Sequence, residues 1–449
     1  MNLKNRKVLI VGLANTGLAV ARFLKDRGAQ VTATDLMTRE QLGDKAQEAL
    51  ALGISLQLGE HKVQDFLSCS LIVLSPGVPH TIKAVEAARY AGIPVIGELE
   101  LAAQHIDEPI VAITGTNGKT TTTNLVGQML ESSGFDVFVG GNIGRPLIDY
   151  VHLQNRKDII VAEISSFQLD TMETFKPQVG VLLNVTEDHL DRYNNFQGYI
   201  RSKGRLFINQ DHTDFAVLNR VDPCTQILEP KIPSNKLYFN TTLNRENGAQ
   251  LEGRKLTCKL PGDPVRTLDL THFNLKGAHN LENAAAASLA ALAIGASESG
   301  VTKALYTFKG LHHRIEYAKT VRGTYYYNDS KGTNVGAVVR ALESFDAQII
   351  LIMGGRDKGG DYTVLNEHIL KNVKQLIVIG EAKKKILNVL GKLTRSQEAG
   401  SLEEAVDLAS QAAEPDDVVL LSPGCSSFDM FSDYAQRGEV FCRAVEGLQ

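Results

Sequence analysis

The segment that most restricts the fold of this chain lies between residues 110 and 132. It opens with the apolar run Ile110 to Thr114, passes through a glycine loop from Gly115 to Gly118, and continues from Lys119 with a helical pattern. A short apolar strand that leads through a tight loop into a helix is the repeating unit of parallel α/β sheets. The segment therefore predicts an α/β fold in which strands and helices alternate.

Strand and helix patterns alternate in this way in three separate stretches of the 449 residues. The points where one pattern stops and the next begins predict three domains. These are a Rossmann-like first domain (1–98), a P-loop ATPase-like central domain with a parallel sheet (99–309), and a Rossmann-like third domain (310–449). Between residues 237 and 275 the composition becomes polar and β-like, which predicts a small antiparallel addition to the central sheet.

The composition narrows the functional classes. The formal net charge is -4 and the pI is about 6.3, which argues against a nucleic-acid partner because such binders carry a basic excess. The five cysteines are scattered without a C-x-x-C pair, so neither a zinc site nor a disulfide framework is predicted. Neither a signal-peptide pattern nor an apolar run long enough for a bilayer occurs, so we expect a cytoplasmic protein without a membrane partner.

The glycine loop carries the strongest functional signal. Loop amides and the start of a helix donate N–H groups to phosphate oxygens, Lys119 can reach the outer phosphates, and the Thr120 hydroxyl can hold magnesium. The loop is shorter than a full P-loop, because Ile113 stands where the first glycine belongs. A chance glycine turn is the alternative, but strand, turn, Lys-Thr and helix in this order favour ATP. The loop residues assigned to ATP are Gly115, Thr116, Asn117, Gly118, Lys119, Thr120 and Thr121.

Three further candidate site residues follow the glycine loop along the chain. Glu163 closes an apolar strand, where a second magnesium-holding carboxylate would lie, although many strands end in glutamate. His189 stands at another strand end between Asp188 and Asp191, so it could bind metal, orient a substrate or simply be polar surface. Lys203 lies on a basic helical pattern, and the pattern by itself favours a solvated helix.

The first domain begins with a turn that resembles a dinucleotide fingerprint. Gly12 and Gly17 are present, but the middle glycine is replaced by Ala14. Asp35 ends the second strand, where a ribose-binding acid would lie. The turn therefore predicts a nucleotide site and leaves the kind of nucleotide open.

The third domain has polar loops after three predicted strands, at residues 328–334, 354–358 and 422–428. Small hydroxyls, glycines and lysines at the start of a helix suit an anion. Each loop alone is typical of an ordinary connection between a strand and a helix. Three such loops in one sheet indicate a ligand-binding edge.

In this order the motifs resemble those of the Mur ligases, and the resemblance covers essentially the whole chain. The matching stretches are Gly-Thr-Asn-Gly-Lys-Thr (115–120), Glu-Ile-Ser-Ser-Phe-Gln-Leu (163–169), Asn-Val-Thr-Glu-Asp-His-Leu-Asp-Arg-Tyr (184–193), His-Asn-Leu-Glu-Asn (279–283), His-His-Arg (312–314), Asn-Asp-Ser-Lys-Gly-Thr-Asn (328–334) and Ser-Pro-Gly-Cys-Ser-Ser-Phe-Asp (422–429). The Ser-Ser-Phe-Gln-Leu run and Gln-Arg-Gly (436–438) are most similar to the D-glutamate-adding members. The chain departs from many relatives at Leu36, where threonine is common, and at Arg356 and Asp357.

The resemblance implies an ATP-dependent ligase that forms an amide bond between D-glutamate and UDP-N-acetylmuramoyl-L-alanine in peptidoglycan precursor synthesis. It implies a cytoplasmic monomer that uses two Mg²⁺ ions, with Lys203 carbamylated, and Lys119, Glu163, His189 and Lys203 as catalytic residues. For the nucleotide substrate it implies Asn15, Thr16, Asp35, Ser75 and Asn142; for ATP, also Asn280, Asn283, His313, Arg314, Asp329 and Lys358. For D-glutamate it implies His189, Lys331, Thr333, Ser427 and Phe428; for metal, Thr120, Glu163, His189 and Lys203.

Three other interpretations remain open from the sequence. A P-loop switch protein would hydrolyse ATP without an amino acid. A nicotinamide oxidoreductase would use the turn from Gly12 to Gly17, but it leaves the P-loop unexplained. Another Mur ligase, or a folate ligase that adds glutamate, would differ only in the acceptor and the amino acid.

Overall fold

The computed structural model describes residues 1–153, 155–189, 192–243, 246–273 and 275–448. The strands form three sheets of five, nine and six strands, and their helices alternate with them along the chain. The predicted three-domain α/β class is therefore confirmed. The boundaries after residues 98 and 309 stay predictions. Asp191, one of the two acids beside His189, lies outside the described residues.

The first domain has a fully parallel sheet in the order β3-β2-β1-β4-β5. Its strands are β1 (Lys7–Val11), β2 (Gln30–Asp35), β3 (Ser55–Leu58), β4 (Leu71–Leu74) and β5 (Val95–Gly97). Its helices are α1 (Asn15–Asp26), α2 (Arg39–Leu42), α3 (Asp44–Ala51), α4 (Val63–Leu67) and α5 (Lys83–Tyr90); α6 (Glu98–Ala103) leads into the central domain. From β1 the chain continues to β2 and β3 on one side of the sheet and then crosses to β4 and β5 on the other side. In parallel α/β sheets a ligand-binding crevice forms at such a switch point, which here lies at the turn after β1.

The central domain has a mixed sheet in the order β14-β13-β12-β11-β10-β9-β6-β8-β7. Its strands are β6 (Ile110–Thr114), β7 (Val137–Gly141), β8 (Ile159–Glu163), β9 (Val179–Leu182), β10 (Phe215–Asn219), β11 (Asn235–Phe239), β12 (Gly248–Glu252), β13 (Lys255–Lys259) and β14 (Arg266–Asp269). Its helices are α7 (Lys119–Ser132), α8 (Leu147–Tyr150), α9 (Ser166–Leu169), α10 (Phe196–Gly204), α11 (Pro223–Leu228), α12 (Ala278–Ala293) and α13 (Glu298–Thr307). The antiparallel pairing of β12, β13 and β14 confirms the predicted addition.

The third domain has a six-stranded sheet in the order β15-β16-β20-β17-β18-β19, parallel except for β15 at the edge. Its strands are β15 (Glu316–Val321), β16 (Thr324–Asn328), β17 (Ile349–Gly354), β18 (Val373–Ile379), β19 (Arg395–Glu398) and β20 (Val418–Leu421). Its helices are α14 (Val335–Leu342), α15 (Asn366–Asn372), α16 (Lys383–Leu390), α17 (Leu402–Ala412) and α18 (Tyr434–Glu446). The sequence had not predicted β15 or β19, which carry mostly polar, part-exposed residues because each lies at an edge of the sheet.

A single apolar cluster continues from the first domain into the central domain. It includes Phe23 and Ile96 on one side and Phe138 and Tyr150 on the other. The ring of Phe23 also lies 5.2 Å, centroid to centroid, from that of His105. The two faces of the third sheet have apolar clusters of their own. The first and central domains are therefore joined through a shared core.

Two buried carboxylates of α6 reinforce this junction. Glu98 accepts the backbone N–H of Ile148 at 2.7 Å, and burial raises the pKa of Glu98 to about 7. Glu100 accepts the N–H groups of residues 173, 174 and 175 at 2.8 to 3.2 Å. A buried carboxylate is tolerated when several donors satisfy it, so Glu100 fixes the segment 173–175 against α6.

Among the described residues, no helix combines the length and apolar character required to cross a membrane.

Candidate active site

The predicted P-loop forms the turn between β6 and α7. Gly118 has a φ of 88° and lies against the side chain of Asn283, so a Cβ at this position would be strained and would clash. No side chain caps α7, which leaves the N–H groups of its first turn available to an anion. Lys119 Nζ donates to the carbonyls of Gly115 at 2.8 Å and Thr116 at 2.9 Å, within the loop itself. The turn is therefore built as a phosphate cradle with an ammonium inside it.

Glu163 ends β8, the strand beside β6, and this register brings its carboxylate to the P-loop. The side chain is almost fully buried. Its Oε2 accepts the Thr120 hydroxyl at 2.7 Å, and its Oε1 accepts Asn142 Nδ2 at 2.9 Å. Thr120 and Glu163, which were each predicted to hold magnesium, are thus joined by a direct hydrogen bond.

Lys203 is buried, so the prediction of a solvated helix around it is wrong. Only 1% of the residue is exposed, because α10 turns this side chain toward the P-loop. Its Nζ donates to the carbonyl of Gly115 at 2.9 Å and lies 4.6 Å from the centroid of the Tyr199 ring. Burial lowers the pKa of Lys203 well below its ordinary value, and the charge of Lys119 lowers it further. Both effects shift the equilibrium of Lys203 toward the uncharged amine relative to an exposed lysine.

His189 lies on the loop after β9 with a φ of 56°, in the left-handed region that few side chains adopt. Its backbone N–H bonds to Asp188 Oδ1 at 2.9 Å, and its ring packs 4.8 Å from that of Phe167. Burial lowers the pKa of His189, which favours the neutral imidazole at neutral pH. A neutral ring can accept a hydrogen bond or bind a metal.

Two side chains of the third domain reach the central domain. Arg314 Nη2 donates to the Thr120 hydroxyl at 2.5 Å. Asn334 Nδ2 donates to Asp188 Oδ2 at 3.1 Å and lies 3.4 Å from Asn117 Oδ1. Residues of the third domain therefore contact the P-loop, as do residues of the central domain.

A cleft between α12, the P-loop and the third domain contains four of the six residues that the resemblance implies for ATP beyond the loop, and we call it the adenosine-side cleft. Asn283 Nδ2 donates to Asn280 Oδ1 at 3.3 Å inside it. Asp329 is buried there and accepts the Ser422 hydroxyl at 2.8 Å, and burial raises the pKa of Asp329 to about 7. The cleft is lined by residues that include Asn117, Gly118, Thr121, Asn280, Asn283, Arg314, Asp329 and Lys331.

The three polar loops of the third domain meet at one edge of its sheet, as predicted. Arg437 is fully buried and joins two of them, since it donates to Ser330 O at 2.7 Å and to Cys425 O at 3.2 Å. Arg356 N donates to Ser426 O at 2.9 Å, which links the remaining loop. These hydrogen bonds therefore hold the three loops in fixed positions relative to one another.

A separate cleft lies at the carboxyl edge of the first sheet. Ser75 Oγ donates to the carbonyl of Gly12 at 2.8 Å, and this close approach is possible because Gly12 lacks a Cβ that would press on Ser75. Asp35 accepts the N–H groups of Leu13 at 2.7 Å and Met37 at 2.9 Å, so its carboxylate shapes the loops on both sides. Thr16, Asp35, Ser75 and Asn142 all line this cleft, and Asn15 is exposed beside it.

Three family models together match most of the chain. They are the Mur ligase MurD-like N-terminal domain at residues 6–97, the Mur ligase middle domain at 113–291, and the Mur ligase glutamate ligase domain at 313–425. The UDP-N-acetylmuramoylalanine–D-glutamate ligase of Desulfatibacillum aliphaticivorans is 48% identical over 448 residues, which are 100% of each chain. The ligase of the same name from Geotalea daltonii is 48% identical over 448 residues, 100% of this chain and 99% of the relative.

The chain belongs to the Mur ligase family. It is therefore an ATP-dependent ligase of peptidoglycan precursor synthesis, and neither a P-loop switch protein nor a nicotinamide oxidoreductase. Solved structures agree on the fold: MurC from Thermotoga maritima has a TM-score of 0.60 at 19% identity and covers 98% of this chain and 99% of its own. MurF from Acinetobacter baumannii has a TM-score of 0.62 at 16% identity, and the match covers 98% of this chain and 93% of MurF.

Magnesium, which such ligases use, fits the residues of this Mur ligase. It prefers oxygen ligands and is typically held by one or two carboxylates together with phosphates and water. Thr120 Oγ1 and Glu163 Oε2 lie 2.7 Å apart beside the P-loop, so both can face one ion. Within the described ranges, no three His, Cys, Asp or Glu side chains converge.

The residues predicted for D-glutamate do not share one cleft in this Mur ligase. His189 and Thr333 line a cleft between the central and third domains, and Lys358 lies there too, 3.5 Å from Thr333 Oγ1. Lys331 instead lines the adenosine-side cleft. Ser427 and Phe428 line neither of the two clefts; Ser427 is buried, and Phe428 is 64% exposed. His313, predicted for ATP, bonds to Asn328 at 2.9 Å behind the adenosine-side cleft.

Sequence reasoning missed three residues at the site of this Mur ligase. Asn184 holds the P-loop backbone, since it accepts Asn117 N at 2.9 Å and donates to Asn117 O at 3.0 Å. Its position directly after a buried strand was a usable signal. Tyr434 lies under Lys331, with Nζ 3.6 Å from the ring centroid. Asn334 ends the predicted polar loop 328–334, but neither it nor Tyr434 was assigned a role, because only the folded chain brings them to their partners.

Proposed function

We propose that this Mur ligase joins the amine of D-glutamate to the terminal carboxylate of UDP-N-acetylmuramoyl-L-alanine. The full-length identity of 48% to ligases named for that reaction supports the proposal most. The nucleotide substrate would lie in the cleft of Asp35 and Ser75, and ATP would lie on the P-loop and the adenosine-side cleft. Asn142 belongs to the first of these clefts and bonds to Glu163, which connects the two sites.

The first step activates the acceptor. Its carboxylate oxygen forms a bond to the γ-phosphorus of ATP, the bond to the bridging oxygen breaks, and ADP leaves with an acyl phosphate as product. Negative charge spreads over the transferring oxygens, and the positive charges of Lys119 and Arg314 stabilise it. Both side chains reach the P-loop within 3 Å of a loop atom, so they are oriented before the charge develops.

The second step forms the amide. The uncharged amine of D-glutamate attacks the acyl carbon, phosphate leaves, and one amine proton is released. Lys331 and Thr333 would bind carboxylates of the amino acid, and burial lowers the pKa of Lys331 to about 8, so the lysine keeps most of its charge at neutral pH. The neutral His189 would orient the reacting groups. Water must be excluded, because it would hydrolyse the acyl phosphate.

We further propose that Lys203 is carbamylated and that two Mg²⁺ ions are used. The nitrogen of a neutral amine can bond to the carbon of carbon dioxide with release of one amine proton, and burial favours the neutral form of Lys203. The product is an anion, which would help Thr120, Glu163 and His189 to hold magnesium; magnesium neutralises phosphate charge when bound. The proposal is tested by ¹³C NMR of protein prepared with labelled carbon dioxide. A carbamate signal that is present in wild type and missing in Lys203→Met is expected, and its absence from the active enzyme would refute the modification.

The third domain is proposed to close onto the central domain during turnover, in a cytoplasmic monomer. Arg314 and Asn334 supply the contacts for closure, since each donates across the junction. Small-angle scattering should show a more compact particle when an ATP analogue and the nucleotide substrate are added together. An unchanged profile would exclude the movement.

The deciding experiment is an amino-acid panel. Phosphate release is measured with ATP, UDP-N-acetylmuramoyl-L-alanine and each candidate amino acid in turn. D-Glutamate alone should support turnover, and L-glutamate serves as the matched control. Turnover with L-lysine or diaminopimelate in its place would assign the chain to another branch of the family.

The acyl-phosphate route has its own test. If the acceptor carboxylate is labelled with ¹⁸O, one labelled oxygen should appear in the released inorganic phosphate. Unlabelled phosphate from an active enzyme would show that the carboxylate oxygen never bonds to phosphorus.

A further inference from the structure

Asn334 performs two tasks with one side chain. Its Oδ1 accepts the N–H of Ala337 at 2.8 Å and so caps α14 in the third domain. Its Nδ2 faces the central domain, where it donates to Asp188 Oδ2 at 3.1 Å and lies 3.4 Å from Asn117 Oδ1. The cap fixes which end of the Asn334 amide points outward, so a donor and not an acceptor is presented across the junction.

Asn117 receives this donor in an unusual environment. Its backbone is held on both sides by Asn184, so the loop itself is fixed. Its side-chain Nδ2, however, is buried and makes no hydrogen bond within the described part of the chain. A buried donor without a partner is costly unless a ligand satisfies it. Asn117 also lines both the adenosine-side cleft and the cleft that contains His189.

We propose that Asn334 is a positioning residue that sets the orientation of the Asn117 side-chain amide. With Asn334 docked, Asn117 Oδ1 faces the Asn334 donor. Its buried Nδ2, unpaired among the described residues, then gains an oxygen of ATP as a partner when the nucleotide enters the cleft that Asn117 lines. Without this contact the Asn117 amide can turn over and present Oδ1, which would repel a phosphate oxygen. The bond to Asp188 anchors Asn334 while it acts. The inference rests on the proposed placement of ATP at the P-loop.

The test uses Asn334→Asp in the full-length enzyme. Aspartate caps a helix as well as asparagine does, but it has no N–H to donate and places a carboxylate against Asp188 and Asn117. The affinity for a non-hydrolysable ATP analogue is measured by calorimetry. We expect it to weaken about 10-fold or more, as for the loss of a hydrogen bond in a buried site. The affinity for the nucleotide substrate, which binds in the first domain, should stay within about twofold.

Asn195→Asp is the matched control. Asn195 is exposed and caps α10 in the same way, since its Oδ1 accepts the N–H of Gly198 at 2.9 Å. The ATP affinity of this control variant should not change. Asn334→Ser, which keeps a capping hydroxyl but lacks the amide, should behave like Asn334→Asp. If both Asn334 variants bound the analogue as tightly as the control, the inference would be wrong.

A double-mutant cycle with Asn117→Ala separates positioning from general damage. If Asn334 acts through the Asn117 amide, Asn334→Asp should weaken ATP binding little further once that amide is removed. Fully additive losses would refute the coupling. A failure of D-glutamate to support turnover would instead refute the proposed reaction, and it would leave the analogue affinities measurable.

Discussion

Replacing Asp329 with asparagine is expected to stabilise the protein at high pH while it impairs the ATP site. Asp329 directly follows β16, is 7% exposed, and accepts the Ser422 hydroxyl at 2.8 Å. Burial raises the pKa of Asp329 from an ordinary 3.8 to about 7, although Ser422 and Arg314 oppose the shift. Asparagine has the same shape and still accepts the Ser422 hydroxyl, but it never becomes charged.

The magnitude follows from proton linkage. Between about pH 4 and pH 7 the folded protein keeps a proton on Asp329 that the unfolded chain has released, so the free energy of unfolding falls as pH rises through this window. From pH 5 to pH 8 the loss is about 2.5 kcal/mol for these two pKa values. The variant does not titrate at this position. Its stability relative to wild type should therefore increase by about 2.5 kcal/mol between the two pH values.

Urea unfolding followed by circular dichroism at pH 5 and pH 8 measures this difference, since the chain has no tryptophan for fluorescence. Asp346→Asn removes an exposed carboxylate of the third domain and serves as the control for the loss of one charge. Glu98 titrates in both proteins, so its contribution cancels in the comparison. If the stability difference between Asp329→Asn and wild type were the same at both pH values, the assigned burial cost would be wrong.

Three further outcomes are expected. Lys119→Met should reduce ADP formation at least about 100-fold without changing the circular dichroism spectrum, because it removes the ammonium that stabilises the transferring phosphoryl group; near-normal turnover would contradict the P-loop assignment. Arg314→Lys should lower kcat more than it raises the KM for ATP, since lysine cannot reproduce the guanidinium contact with Thr120; a change in KM alone would show that Arg314 only binds ATP. Ser75→Ala should raise the KM for the nucleotide substrate about fivefold with kcat unchanged, because the hydrogen bond to Gly12 O shapes that cleft; an unchanged KM would place the substrate elsewhere.

The sequence predicted the parts of the fold that depend on local pattern. The strand Ile110–Thr114 and the helix that starts at Lys119 have the predicted bounds, because apolar alternation and the glycine loop encode them directly. The edge strands β15 and β19 were missed because partly exposed, polar strands lack that pattern. Local signals thus define such an edge strand poorly.

The site was predictable where its chemistry lies in a contiguous motif. The P-loop lysine and threonine were found in this way, and Glu163 followed from its place at a strand end. Lys203 was misjudged from its own helix, because its burial comes from the P-loop it packs against, which is distant in sequence. Asn334 lies in a predicted polar loop, but its contact with Asp188 could not be predicted, since it depends on two domains meeting.

The shared core of the first and central domains bears on how an inhibitor could stop this enzyme. A compound that separated these two domains would expose buried apolar side chains to water. Its binding energy would have to offset the free energy of transferring that apolar surface to water. The contacts that Arg314 and Asn334 make across the other junction are hydrogen bonds, which water can replace at little loss. A compound placed between the central and third domains would not have to expose the shared core, so that junction is the better target for an inhibitor.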